Sequence, residues 1–378
     1  MSVQVSYKKQ FTFFFMLFCV LLIIIEIYLQ VVPVNYDCEF SSHAIFDKFS
    51  QTEKNLMCKE YSSIIYDQST PIKLLNPQQG EYVNINLDGF RGASLDFKSD
   101  SYKIFILGGS SLFGHVSSSD ETTIPALLEK KFQVLKLDTK IVNAGIPYST
   151  TIDERYYIEH HILDYDPDLI IMYDGWNDIW HINETKSNVS YEELSLNNAV
   201  LNNQQHTKSI IYKISREVFY LFESTNYKTG LGVTHILHNT LEPNILRDEL
   251  TNRPYYDIEI SNEKLLKFEN NMITNWSEVC KLGELNGFQT VNIVQPILGT
   301  SNKNLNIDDP LESNYLKNID MERISSVSSC DNIVDLRSVF SGIDEKQIYF
   351  DRGHMSDLGN EIVAEKLFEL ILPMLLEK

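Results

Sequence analysis

The sequence predicts an α/β fold built on a parallel sheet, preceded by one N-terminal transmembrane helix. Three observations predict it. Five short β-branched runs, KIFIL (103–107), KIVNA (140–144), DLIIMY (168–173), TVNIVQ (290–295) and NIVDL (332–336), are continuously apolar rather than alternating. Strands buried on both faces of a parallel sheet read that way. Helical patterns fall between them. At the front of the chain, FTFFFMLFCVLLIII (Phe11 to Ile25) carries no charge at all.

The N-terminal run comes first. After the single acid Glu26, IYLQVVPV continues it to Val34, long enough for the roughly 20 helical residues a bilayer needs. Lys8 and Lys9 precede the run and no acid occurs before Glu26, so the positive-inside rule puts residues 1–10 in the cytoplasm. An uncleaved anchor over 11–34 is preferred to a cleaved signal peptide, whose apolar core would look similar, because no small-x-small site follows closely. Everything after about residue 35 is then extracytoplasmic.

Residues 35–100 carry mixed polarity, a Pro/Gln/Gly patch and the turn-rich NINLDGFRG. They read as a stalk merging into an N-terminal extension. The domain proper spans 101–378. Its helical patterns are IPALLEKKFQVL after the first strand and IDERYYIEHHIL after the second, with NEKLLKFENNMITNWSEVCKLGEL before the fourth. A C-terminal helix follows Ser356, a fitting N-cap. The interval of about 184–260 breaks the rhythm and reads as an insertion, with Ile210, Ile214, Val218, Leu221 and Phe222 on one helical stripe.

The chain has 378 residues and a formal charge of −20, with 43% hydrophobic residues. That field repels phosphate backbones, which argues against nucleic acid as a partner. Of five cysteines, Cys19 lies in the apolar run. The other four allow three pairings, of which Cys38 with Cys58 is preferred. No Cys/His spacing suggests a metal site. Asn183, Asn188 and Asn275 open N-x-S/T sequons.

The stretch KIFILGGSSLFG, Lys103 to Gly114, is a strand that breaks on two glycines before two serines. Phosphate-binding readings fail on spacing. A P-loop needs G-x4-G-K-[ST], but His115 and Val116 follow Gly114, and the glycines are out of register for G-x-G-x-x-G. The nucleophile elbow G-x-S-x-G fails at Leu112. No cofactor is implied.

A different serine-hydrolase pattern fits. ILGGSSLFG, NAGIPYS, YDGWND and FDRGHMSDLGN, in that order, resemble the four blocks of the SGNH hydrolase (GDSL esterase) superfamily. NINLDGFRG resembles the lead-in of its membrane-anchored, extracytoplasmic branch. The resemblance covers about 75–375 and implies a three-layer α/β/α sandwich with a flavodoxin-like parallel sheet. It implies Ser110 as nucleophile, His354 as base and Asp351 as the aspartate of D-x-x-H. Oxyanion donors would come from the backbone N–H groups of Ser110 and Gly145 and the side-chain amide of Asn177. Gly109 stands where the family often has aspartate.

Elementary chemistry supports these roles. A serine hydroxyl is a poor nucleophile until an imidazole takes its proton. A carboxylate three residues from that imidazole can hold its tautomer and stabilise the imidazolium. Ser111 is the runner-up nucleophile. Asp174, Trp176 and Asp178 read as structural or pocket-lining, and Asp335 as packing. His115, His160, His161 and His181 have no partner spacing.

The expected activity is hydrolysis of acyl esters, O-acetyl groups above all, on extracytoplasmic substrates such as surface glycans. O-acyl transfer on the same scaffold is one alternative, and a non-catalytic glycan- or partner-binding domain is another.

Overall fold

A run of five or six β-branched residues is too short for a helix and too apolar to leave either face in water, so it must become an interior strand. The computed structural model describes residues 6–31, 44–65, 74–95, 97, 101–179, 261–301 and 316–376. Its elements are α1 Tyr7–Val31, α2 Gln51–Ser62, β1 Tyr102–Gly108, α3 Ser110–Phe113, α4 Ile124–Val134, β2 Thr139–Gly145, α5 Thr151–His160 and β3 Leu169–Asp174. They continue with α6 Asn262–Asn286, β4 Gln289–Val294, α7 Met321–Val327, β5 Ile333–Asp335, α8 Glu345–Ile348 and α9 Asp357–Leu376.

All five expected strands form, and they join in one parallel sheet in the order β2-β1-β3-β4-β5. This is the doubly wound order whose direction reverses between β1 and β3, where a crevice opens at the carboxyl ends. Ile104, Ile106, Ile171 and Ile293 pack with Leu128 and Phe132 of α4 and Val363 and Leu367 of α9. Helices α5 and α6 pack together and against the sheet through β1, β3 and β4, with Tyr157, Phe268, Met272 and Trp276 fully buried. Both faces are thus covered, and β3 is buried along its whole length.

Residues Asp37–Asn202 and Glu259–Lys378 form one unit, and α1 belongs to another. In the larger unit, α2 opens on a Ser50–Glu53 capping box. Glu60 of α2 accepts the backbone N–H groups of Glu81, Tyr82 and Val83 at 2.8, 2.7 and 2.9 Å. Arg91 is buried with its donors engaged. Nε meets Asp120 at 2.8 Å, Nη1 the carbonyls of Phe113 and Gly114 at 2.9 and 2.7 Å, and Nη2 Tyr61 Oη and the Tyr82 carbonyl at 3.2 and 3.0 Å.

Helix α1 runs 25 residues with Lys8, Lys9 and Glu26 as its only charges, and its described apolar side chains are exposed. It starts four residues before the expected span, and residues 32–34 lie outside the described residues, as do the side chains at 22, 23 and 25–31. Among the described residues, no helix is long and apolar enough to cross a membrane.

Cys280 and Cys330 form a disulfide between α6 and the segment before β5, and Cys19 is free. Cys58 is also disulfide-bonded; Cys38, its expected partner, lies outside the described residues. So do the 184–260 stripe and the sequons at Asn183 and Asn188. Asn275 does not fit a glycan site in this fold. It is 3% exposed, accepts from Arg155 Nε at 3.1 Å and donates to the Asn271 carbonyl at 2.9 Å.

Candidate active site

The site lies where β1 and β3 end. The chain leaves β1 at Gly108, turns through Gly109, and starts α3 at Ser110. Leaving a sheet directly into a helix puts Ser110 at the first helical position, where no earlier carbonyl can take its N–H. That N–H has no partner among the described residues.

Ser110 Oγ and His354 Nε2 are 2.7 Å apart, and His354 Nδ1 lies 2.6 Å from Asp351 Oδ2. A tight turn before α9 holds the acid and the base together. Asp351 Oδ1 accepts the backbone N–H groups of Gly353 and His354 at 2.9 and 2.8 Å, and Phe350 N–H donates to the His354 carbonyl at 2.9 Å. Burial pushes the Asp351 carboxyl up, but the His354 charge and these hydrogen bonds outweigh it and hold it at about 2. An ionised carboxylate accepts only, so Nδ1 carries the ring proton and Nε2 faces the serine as an acceptor.

Asn177 follows β3 by three residues, in a helical turn that starts at Trp176. Its Nδ2 donates to the Ser149 carbonyl at 2.7 Å, leaving its second hydrogen for another acceptor. A Cβ built on Gly109 would lie 2.1 Å from this nitrogen. Glycine at 109 therefore lets the amide sit against the backbone beside Ser110.

Gly145 departs from expectation. Its N–H donates to Asn143 Oδ1 at 3.1 Å, so in this arrangement it faces the sheet's own side chain rather than an oxyanion. Its lack of a Cβ serves packing instead: a Cβ would lie 2.5 Å from the Phe113 nitrogen. The loop that follows closes through Ser149 N–H to the Ile146 carbonyl at 3.0 Å, with Tyr148 at φ 59°. Left-handed backbone normally goes to glycine, and Tyr there carries strain of a kind that collects at functional sites. Tyr148 is 57% exposed.

Several functional neighbours escaped sequence reasoning. His354 sits between two rings, His115 at 4.7 Å and Trp176 at 5.0 Å between centroids. Burial first, then the His354 charge, push His115 down to about 3, so it is a neutral ring. Asn143 ties β2 to α3, donating to the Phe113 carbonyl at 3.2 Å. Ser111 is turned away from the imidazole and donates to the Gly353 carbonyl at 2.9 Å. His161 is structural, with Nε2 3.1 Å from the Asp88 carbonyl. Asp335 pairs with Arg337 at 2.8 Å at the far edge of the sheet. The only sequence signals were position: Asn143 stands two before Gly145, and His115 follows the first block directly.

No protein-family model matches the chain, and no curated protein matches it. Solved structures similar to it at low identity include an acetyl xylan esterase, AlAXEase, at 15% identity over 71% of this chain and 99% of that one, with a TM-score of 0.40. Esterase EstA from Pseudoalteromonas sp. is 13% identical over 73% and 99%, with a TM-score of 0.39. The acetylxylan esterase Axe2 from Geobacillus stearothermophilus is 13% identical over 73% and 95%, at 0.40.

Proposed function

We propose that the protein is an SGNH-type serine esterase. The observation that carries this reading is the hydrogen-bonded line from Ser110 through His354 to Asp351, at 2.7 and 2.6 Å. His354 Nε2 takes the Ser110 proton as Oγ bonds to the ester carbonyl carbon. The collapsing intermediate expels the alcohol, which takes that proton back from the imidazolium. Water repeats the sequence on the acyl-enzyme.

The Ser110 N–H and the Asn177 amide serve the oxyanion, each worth about 10²–10³ in rate. The Gly145 N–H joins them only if Asn143 Oδ1 releases it.

The substrate in this reading is an O-acyl group, acetyl above all, on an extracytoplasmic glycan, with α1 as a membrane anchor and its N-terminus in the cytoplasm. The charge-free stretch of α1 behind Lys8 and Lys9 supports the anchor. The Cys280–Cys330 bridge supports an oxidising compartment. These finer points also lean on the resemblance of the four sequence blocks.

The test is covalent labelling by a fluorophosphonate together with the product burst from an activated acetyl ester. Both are expected in the wild type and lost in Ser110→Ala and His354→Ala. Labelling that persists in Ser110→Ala would remove the serine mechanism. Adding an acceptor alcohol and measuring product partition separates hydrolysis from transfer.

A further inference from the structure

Beneath Asn177 lies a group of acids with no role in the steps above. Glu154 of α5 is 1% exposed, and neither of its carboxyl oxygens has a hydrogen-bond donor. Asp174, the last residue of β3, is 3% exposed and accepts Trp276 Nε1 at 2.7 Å. Asp178 is 1% exposed and accepts the Thr151 hydroxyl at 2.7 Å.

Among the described residues, neither Glu154 nor Asp174 pairs with a Lys, Arg or His. The charged and titratable neighbours can be named by element. On α5, Asp153 accepts the Thr150 N–H and hydroxyl at 3.0 and 2.9 Å, and Arg155 spends its donors on Asn275 and Glu159. On α6, Trp276 and Asn275 are neutral, and Glu278 pairs with Lys281 at 2.8 Å. Past β3 stands Asp178.

Two adjacent carboxyl groups without a cation cannot both stay ionised in a dry interior. An orphaned buried polar group calls for an explanation, and a proton between the two acids supplies one. We propose that Glu154 is kept as the neutral acid and donates its proton to Asp174, fastening α5 to the end of β3 and so holding the turn that carries Trp176 and Asn177. Glu154 is then a positioning residue for the oxyanion amide and for the ring that covers His354.

The electrostatics agree with the geometry. Burial first, then the Asp174 charge, push Glu154 well above the carboxylate range. Burial first, then the Asp178 charge, push Asp174 up to about 8, with Trp276 pulling it back. The folded chain therefore holds protons that the unfolded chain releases near pH 4. Stability falls as pH rises from about 4 through the raised range of the pair, and this contribution is gone once the shared proton leaves.

The experiment follows the melting temperature of the full chain and the fluorophosphonate labelling rate of Ser110 from pH 5 to 10. In the wild type the melting temperature falls steadily as pH rises, and labelling drops about tenfold per pH unit once the shared proton leaves. Glu154→Gln, whose amide donates without titrating, flattens both. Asp174→Asn does the same from the other side and serves if the first variant does not fold.

A slope unchanged from wild type in either folded variant overturns the proposal. So does a wild-type infrared spectrum with no protonated buried carboxyl at pH 7 that disappears above pH 9, a readout that needs no variant. The positioning half rests on the esterase reading. If wild-type Ser110 labels at no pH, that reading fails, while melting and infrared still decide the shared proton.

Discussion

The indole of Trp176 occupies the space that a side chain at Gly353 would need: a Cβ built there lies 1.8 Å from Cε3. The third and fourth sequence blocks meet at this contact, one residue before His354. Gly353→Ala cannot be absorbed without moving either the indole or the turn that carries the base. Overpacking of this kind costs about 1–3 kcal/mol, and a shift of 1 Å in a catalytic ring costs about 10² in rate. The expected result is a lower melting temperature and a labelling rate down by roughly that factor. Trp176→Ala in the same chain should restore part of the melting temperature. If the single variant labels at the wild-type rate, the contact does not hold the base.

Asp351 should be separable into an electrostatic and an orienting role. Asp351→Asn leaves the backbone hydrogen bonds room to form but removes the acceptor that fixes Nδ1–H, so kcat should fall by about 10²–10⁴ while KM changes little. The pH dependence has a fixed sign. The carboxyl is held at about 2 in the folded chain, below its ordinary 3.8. Its contribution is therefore fully present above pH 4 and lost as pH falls through about 2. Acid unfolding of the wild type and Asp351→Asn should converge over that window. Parallel curves would show that the carboxylate adds nothing to folding.

Arg91 joins the segment before the sheet to the far end of the nucleophile helix, through the Phe113 and Gly114 carbonyls. Tyr61, which donates to that same Gly114 carbonyl at 2.9 Å, also meets His115 edge-to-face at 4.9 Å between centroids. Removing one partner of a buried ion pair leaves the other charge uncompensated, at about 3–5 kcal/mol. Arg91→Ala should lose stability of that order in urea unfolding. Arg91→Lys should recover less than half, because a lysine cannot reach Asp120, two helix-end carbonyls and Tyr61 at once. Full recovery by lysine would reduce the fork to a point charge.

The legibility of this molecule in its sequence divides by range. Strands β1 to β4 were readable because a strand buried on both faces needs no long-range information to be apolar. Strand β5, half-buried at the sheet's edge, rested on the short NIVDL run alone. Helices α4 and α6 ended within a residue of their patterns. Ser110 and His354 are 244 residues apart; no periodicity links them, and only the resemblance of the four blocks did. Gly145 shows the opposite failure. Its block was recognisable, but the Asn143 side chain that takes its N–H is a local competitor with no pattern of its own. Glu154 sits among other charges on one face of IDERYYIEH, with no pattern to mark it as buried. It is buried because α6, more than a hundred residues later, covers that face.

The same long reach makes the Cys280–Cys330 bridge testable. It spans 50 residues and fastens α6 to the approach of β5, beside the Trp276 whose indole holds Asp174. Closing a loop of that length removes unfolded-state entropy worth about 4 kcal/mol in the chain-entropy model. Replacing both cysteines by alanine should therefore lower stability by up to about that much. Ser110, at the opposite side of the sheet order from β5, needs nothing from the bridge directly, so labelling of the folded variant at neutral pH should stay within about threefold of wild type. A variant that folds with wild-type stability would show that the denatured chain was already confined there. One that loses labelling without losing stability would place the bridge in the support of Asp174 rather than of the fold.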